Sequence, residues 1–258
     1  MRYSIILSYN GGPFCGWQIQ NGAPTIQEEL ERALSTLLGG PVGVTGAGRT
    51  DSGVNAVNYT AHFDTPDPIP DPVQFIYKIN AILPIEICVH DISPKDEDFH
   101  ARFGATLREY TYFIHRKKDP FIEDFSWRCT FPGLDFEAMN KACVHLLGKH
   151  DFSCFEKTGG SNKTSVCTVF RAGWFPYVPG HVRVLGYPAP DPPAYWYFRI
   201  AADRFLRNMV RATVGTLIEV GRGKHNPDWV AELIESGTRG DAGESVPGKA
   251  LFLNKIEY

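Results

Sequence analysis

The chain has 258 residues and a mass of 28.8 kDa, enough for one large domain or two small ones, so a folded protein is expected and not a short fragment or a disordered tail. Hydrophobic residues make up 43% and charged residues 21%, mean hydropathy is −0.21, and no apolar run approaches the roughly 20 residues of a membrane span, so no membrane role is expected. Six cysteines form no Cys-x-x-Cys pair and eight histidines no His-Glu-x-x-His, which excludes the common zinc and disulfide patterns; no metal is expected, and the cysteines read as small buried hydrophobes in a reducing compartment.

Residues 2–9 alternate and are rich in β-branched side chains, so they predict a strand, ended by Asn10-Gly11-Gly12-Pro13. The short apolar stretch there is too brief for a signal peptide, and a cytoplasmic protein is expected. Thr25 followed three residues later by Glu28 predicts a capped helix with an Ile26, Leu30, Ala33, Leu37 stripe, stopped by Gly39. Strands are predicted at 42–48 and 57–64, flanking a glycine-rich loop. Asp71-Pro72 predicts a further helix ending before Pro84, and 86–92 another strand. The pattern then restarts: strand 106–115, helix 135–147 closed by Gly148, strand 165–175, a Pro-rich insert at 187–193 and strand 195–202. A helix over 205–220, a helix opened by Asn226-Pro227 and ended by Gly237, and a strand over 251–257 complete the chain. Two α+β halves, 1–103 and 104–258, are the expected organisation.

The net charge of −3 hides a polarity along the chain. Residues 61–99 hold eight acids against Lys78 and Lys95, whereas 199–224 hold six bases against Asp203 and Glu219. A polyanion would prefer the second segment. Within it, Arg204, Arg207 and Arg211 stand at i, i+3 and i+7, so a helix over 205–220 would bring them to one face.

The densest local signal is the loop Gly46-Ala47-Gly48-Arg49-Thr50-Asp51-Ser52-Gly53-Val54-Asn55-Ala56. It fails as a dinucleotide fingerprint, because Asp51 stands where glycine is required, and it lacks the Gly-Lys-Ser/Thr of a phosphate loop. Asp51-Ser52-Gly53 is similar to the aspartic-protease signature, but that chemistry needs two such loops and only one is present. Read alone, Asp51 is an Asx-turn residue, Tyr110 a strand aromatic of the core and Arg211 a surface helix charge.

Six blocks in order change that reading. They are Tyr9 to Gln18, Gly48 to Val54, Phe-His-Ala-Arg-Phe (99–103), Arg108 to Tyr112, His150 to Ser153, and Arg204 to Arg211. Together they resemble the tRNA pseudouridine synthase A family over nearly the whole chain. The resemblance implies the pseudouridine-synthase fold: α+β, with two halves sharing a curved, mostly antiparallel sheet and a central RNA-binding cleft. It implies conversion of uridine to pseudouridine at positions 38, 39 and 40 of the tRNA anticodon stem-loop, by a homodimer. Asp51 then matches the catalytic aspartate, Arg211 its ionic partner, Tyr110 the tyrosine against the target base, and Arg49 the arginine that helps displace the target nucleotide. Arg204 and Arg207 would contact substrate phosphates. The isomerisation consumes no electrons or water, so no cofactor is expected. Two departures, Asn55 where the family usually has histidine and Ser245-Val246-Pro247 in place of Thr-Ala-Pro, bear on substrate fit. The alternatives are a non-catalytic tRNA-binding or chaperone protein of the same fold, and a lone-carboxylate hydrolase.

Overall fold

The computed structural model describes residues 1–157, 159 and 164–258. Among them are ten strands and six α-helices, with the strands paired mostly antiparallel, a mixed α+β fold as expected. The chain divides into two compact units, Met1–Arg108 with Phe252–Tyr258, and Glu109–Leu251.

In the first unit the strand order is β4 (Ile87–Lys95), β1 (Arg2–Tyr9), β3 (Asn55–Asp64), β10 (Leu251–Glu257), with β2 (Val44–Gly46) also on β3. The period-2 pattern of β1 turns Tyr3, Ile5, Leu7 and Tyr9 into the core, each at most 3% exposed. Helix α1 (Ile26–Leu38) begins where the Thr25 hydroxyl accepts the Glu28 N–H at 3.4 Å and ends at Gly39, φ +71. Helix α2 (Pro72–Ile82) is capped by Asp71, which accepts the Gln74 N–H at 3.0 Å. The β1–β3 register slips between Leu7 and Tyr9, where Asn58 of β3 takes φ +59. That bulge re-aims the first residues of β3, the continuation of the Gly46–Ala56 loop.

In the second unit the order is β5 (Leu107–His115, from Glu109 onward), β9 (Tyr195–Ala202), β8 (Val166–Pro176), β7 (Gly148–Asp151), with β6 (Trp127–Arg128) parallel to β5. One sheet face carries Trp174, Phe198 and Ile200 into the core, where Phe136 of α3 (Phe136–Cys143) stacks on Trp196 at 3.7 Å and 4°. The helix expected over 135–147 stops at Cys143 and tightens into a 3-10 turn over Val144–Leu146. Three short elements had no sequence signal strong enough to expect: β6, β7 and α4 (Gly180–Val184).

Helix α5 (Met209–Gly221) corrects the expected range of 205–220. Asn208 sits at φ +65, a conformation that a right-handed helix cannot contain, and its side chain donates to Ser245 Oγ at 2.5 Å. Arg204 and Arg207 therefore lie in the approach to the helix, and the shared helical face expected for them with Arg211 is not formed. Eleven of the thirteen α5 residues are buried, all but Arg211 and Glu219. Helix α6 (Trp229–Ser236) follows, with Asn226 Oδ1 accepting the Trp229 N–H at 3.0 Å as the Asn-Pro signal implied. Cys129, Cys143, Cys154 and Cys167 are buried, Cys15 is half-buried and Cys88 is exposed.

Candidate active site

In the first unit, the two earliest blocks of sequence prove to be one object. The segment 9–18 wraps the Gly46–Ala56 loop through backbone contacts that glycine alone permits. Trp17 N–H donates to Thr50 O at 3.2 Å, Gly53 N–H to Phe14 O at 3.3 Å, and the Tyr9 hydroxyl meets Thr50 Oγ1 at 2.9 Å. Gly16 has φ +88, and a Cβ built on it would lie 2.4 Å from Thr50 O. On the other side the buried Tyr59 hydroxyl donates to Gly48 O, and the Ala47 N–H bonds Thr60 O at 2.9 Å.

Asp51 opens a tight turn closed by Val54 N–H to Asp51 O at 3.1 Å, with Gly53 at φ +75 in the third position. Asp51 is half-buried, and Thr50 and Val54 beside it are buried. Arg49, two residues back, is exposed, with Nε donating to Gln18 Oε1 at 3.1 Å. The carboxylate thus belongs to a loop fixed along both edges, with the exposed Arg49 two residues before it in the chain. Asn55, the residue that departs from the family pattern, is 1% exposed and its Oδ1 accepts the Gly11 N–H at 2.9 Å.

The other expected residues lie in the second unit. Tyr110, on β5, is half-buried, its ring edge-on to Phe205 at 5.1 Å and 88°. Arg211 is half-buried on α5, where Nε donates to Val246 O at 2.7 Å and its own carbonyl accepts the Val246 N–H at 3.3 Å. The buried Tyr112 hydroxyl donates to the next carbonyl, Pro247 O, at 3.0 Å, so β5 and α5 converge on residues 246–247. Burial pushes the Tyr112 hydroxyl well above the ordinary phenol range and keeps it a donor. Arg204 is half-buried and its backbone N–H donates to Asp203 Oδ1 at 2.7 Å; Arg207 is exposed.

Two residues in the quoted blocks received no role from sequence. Arg108 donates to Ala47 O at 3.2 Å and to Ala105 O at 2.7 Å, and so ties the Asp51 loop to the turn before β5. Glu109, 5% exposed, is approached by Arg171 at 3.6 Å and Arg199 at 3.7 Å across the neighbouring strands. A buried acid in a strand was the available signal for it. Among the described residues, no group of three His, Cys, Asp or Glu is placed to hold a metal ion, and no helix is long and apolar enough to cross a membrane.

Likeness to known proteins runs the length of the chain. A family profile described as tRNA pseudouridine synthase matches residues 142–258. A protein named tRNA pseudouridine synthase A from Parabacteroides distasonis is 47% identical over 258 residues, covering 100% of this chain and 96% of the relative. Proteins of the same name from Porphyromonas gingivalis and Bacillus velezensis are 42% and 36% identical, each over 100% of this chain and over 97% and 99% of their own lengths.

Proposed function

Because the chain belongs to the tRNA pseudouridine synthase A family, we propose that it isomerises uridine to pseudouridine at positions 38, 39 and 40 of the tRNA anticodon stem-loop, as a cytoplasmic homodimer. The observation that carries this is the full-length similarity, 47% identity over 258 residues to a protein named tRNA pseudouridine synthase A, together with an Asp51 loop held along both edges by hydrogen bonds.

The reaction breaks the N1–C1′ bond, rotates the base, joins C5 to C1′, and moves the C5 proton out while N1 regains one. Nothing is oxidised or reduced. The requirement is a carboxylate held in place against the sugar or base and screened from water, and an aspartate serves as nucleophile or charge stabiliser only under those conditions. In this reading Asp51 is that group. Arg211 is its ionic partner, the direction of its planar fork set by the bond from Nε to Val246 O. Tyr110 offers a ring face to the extruded base, with Phe205 holding the ring edge-on. The target base must leave its stack at a cost of a few kcal/mol, and in this reading Arg49 helps displace it while Arg204 and Arg207 contact substrate phosphates.

Unmodified tRNA transcript incubated with the protein, derivatised with carbodiimide and read by primer extension, should gain stops in the anticodon arm. Asp51→Asn should remove them and leave tRNA binding intact. A wild type that binds tRNA and yields no adduct would refute the isomerase and leave the non-catalytic binder. Sedimentation of the protein should show a dimer.

A further inference from the structure

The Phe99–Phe103 block has no part in the chemistry above, yet it is held by hydrogen bonds from several parts of the chain. Ala101 N–H donates to Nδ1 of the buried His62 at 3.1 Å, and Ala101 O accepts the Tyr258 hydroxyl at 2.8 Å. Gly104 N–H closes onto His100 O at 2.8 Å. Arg108 donates to Arg102 O at 2.5 Å. His100 Nδ1 accepts both the Arg102 and Phe103 N–H groups, at 3.1 and 3.2 Å, so the neutral ring carries its proton on Nε2.

This fixed turn displays an aromatic ring to solvent. Phe103 is 76% exposed. Its ring lies 4.4 Å from the His100 ring at 36°, and the Arg102 guanidinium stands 5.5 Å from its centroid. A lone exposed apolar residue means little. Here the ring is oriented by a second ring, accompanied by a cation, and mounted on a turn that Arg108 joins to Ala47 O, four residues before Asp51. A planar π-face with an adjacent guanidinium is the arrangement that stacks an unpaired nucleobase. Extruding one base from a stem-loop leaves its neighbours with uncovered faces that need such a surface.

We propose that Phe103, with His100 and Arg102, is a stacking platform for an unpaired tRNA base next to the target. The proposal rests on the tRNA-modifying reading above. Over residues 95–108 three bases (Lys95, Arg102, Arg108) and three acids (Asp96, Glu97, Asp98) cancel, so the platform holds RNA by stacking and adds little through charge.

Phe103→Ala, Phe103→Leu and Phe103→Trp test this with tRNA transcript, measuring binding and single-turnover kinetics at several salt concentrations. Stacking of one base on an aromatic ring corresponds to about a 5- to 150-fold loss on truncation to alanine. The expected result for Phe103→Ala is a KM and Kd about tenfold higher, with kcat within about twofold and the slope of log Kd against log salt unchanged. Phe103→Trp should bind as well as wild type, and Phe103→Leu, apolar without a π-face, should lose most of what alanine loses. Melting temperatures should stay together, since the ring is exposed. Unaltered affinity in Phe103→Ala, or wild-type affinity in Phe103→Leu, overturns the platform while leaving wild-type activity to judge the isomerase separately. A platform that contacts a protein instead of RNA would also leave tRNA affinity unaltered in every variant, and is refuted by the tenfold loss.

Discussion

Gly16→Ala is the sharpest test of the claim that residues 9–18 hold the Asp51 loop in place. Two costs arise there. The backbone sits at φ +88, where an L-residue pays about 1–2 kcal/mol in strain. The new Cβ would lie 2.4 Å from Thr50 O and 3.1 Å from Asp51 C. Ordinary contact for a Cβ begins at 3.4 Å, so the loop must retreat by about 1 Å. Gly22→Ala supplies the control, because Gly22 has φ +74 but nothing within 4 Å of its Cβ. It isolates strain from displacement.

Displacing a reacting group by about 1 Å costs on the order of 100-fold in rate. Gly16→Ala should therefore lower single-turnover pseudouridine formation by about that factor, with tRNA affinity largely kept. Gly22→Ala should stay within about twofold of wild type. Both should lower the melting temperature, by about 2–4 °C per kcal/mol for a chain of this size, Gly16→Ala by more. A Gly16→Ala protein that melts early yet turns over at the wild-type rate would show that the position of Asp51 does not depend on this contact.

Asn55→Ala leaves the buried Gly11 N–H without the Oδ1 it now bonds at 2.9 Å, and should cost about 1–3 kcal/mol in a denaturant melt; Asn55→His should recover part of this, since an imidazole nitrogen can accept the same bond. His62 is buried, and desolvation first, with the charge of Arg2 and His100 adding to it, lowers its ring to about 4 from an ordinary 6.5. Between those values the unfolded chain binds a proton that the native state refuses, so the His62 contribution should be constant above pH 6.5 and turn progressively destabilising as pH falls toward 4. The difference in urea midpoint between pH 7 and pH 4.5 should accordingly shrink in His62→Gln, which keeps an acceptor for Ala101 N–H; an unchanged difference would place the titration elsewhere.

Local chemistry made the element types legible. Thr25, Asp71 and Asp135 each cap the helix they announce, with side-chain bonds to the third residue on at 3.4, 3.0 and 2.9 Å. The Asp51 loop was visible because its glycines cluster. What escaped was long-range or conformational. The stripe Leu206, Met209, Val210, Thr213 keeps helical spacing, but Leu206 is buried by a turn, and no periodicity reports that Asn208 has φ +65. The C-terminal strand reads as a strand from its own residues, while its parallel pairing of Phe252 and Leu253 with Asn55 and Ala56 depends on residues nearly 200 positions away. Arg108 looks like any strand arginine until Ala47 O is seen within its reach.

The placement of charge on α5 departs from a simple physical rule. A helix dipole favours anions at its N-terminus and cations at its C-terminus, by about 0.3–1 kcal/mol each. The two unburied residues of α5 both break that rule: Arg211 lies in the first turn and Glu219 in the last. Glu219 has evident compensation, since Arg222 and Lys224 approach it at 2.7 and 2.6 Å and hold its carboxyl below the usual range despite desolvation. Its exception is local and structural. Arg211, a cation at the positive end of the helix, also stands against the local preference, and its Nε donates to the Val246 carbonyl; departures of this kind concentrate at functional sites. An anionic group opposite that end of α5 would reverse the sign of the penalty, which is the electrostatic argument for assigning Arg211 to a carboxylate.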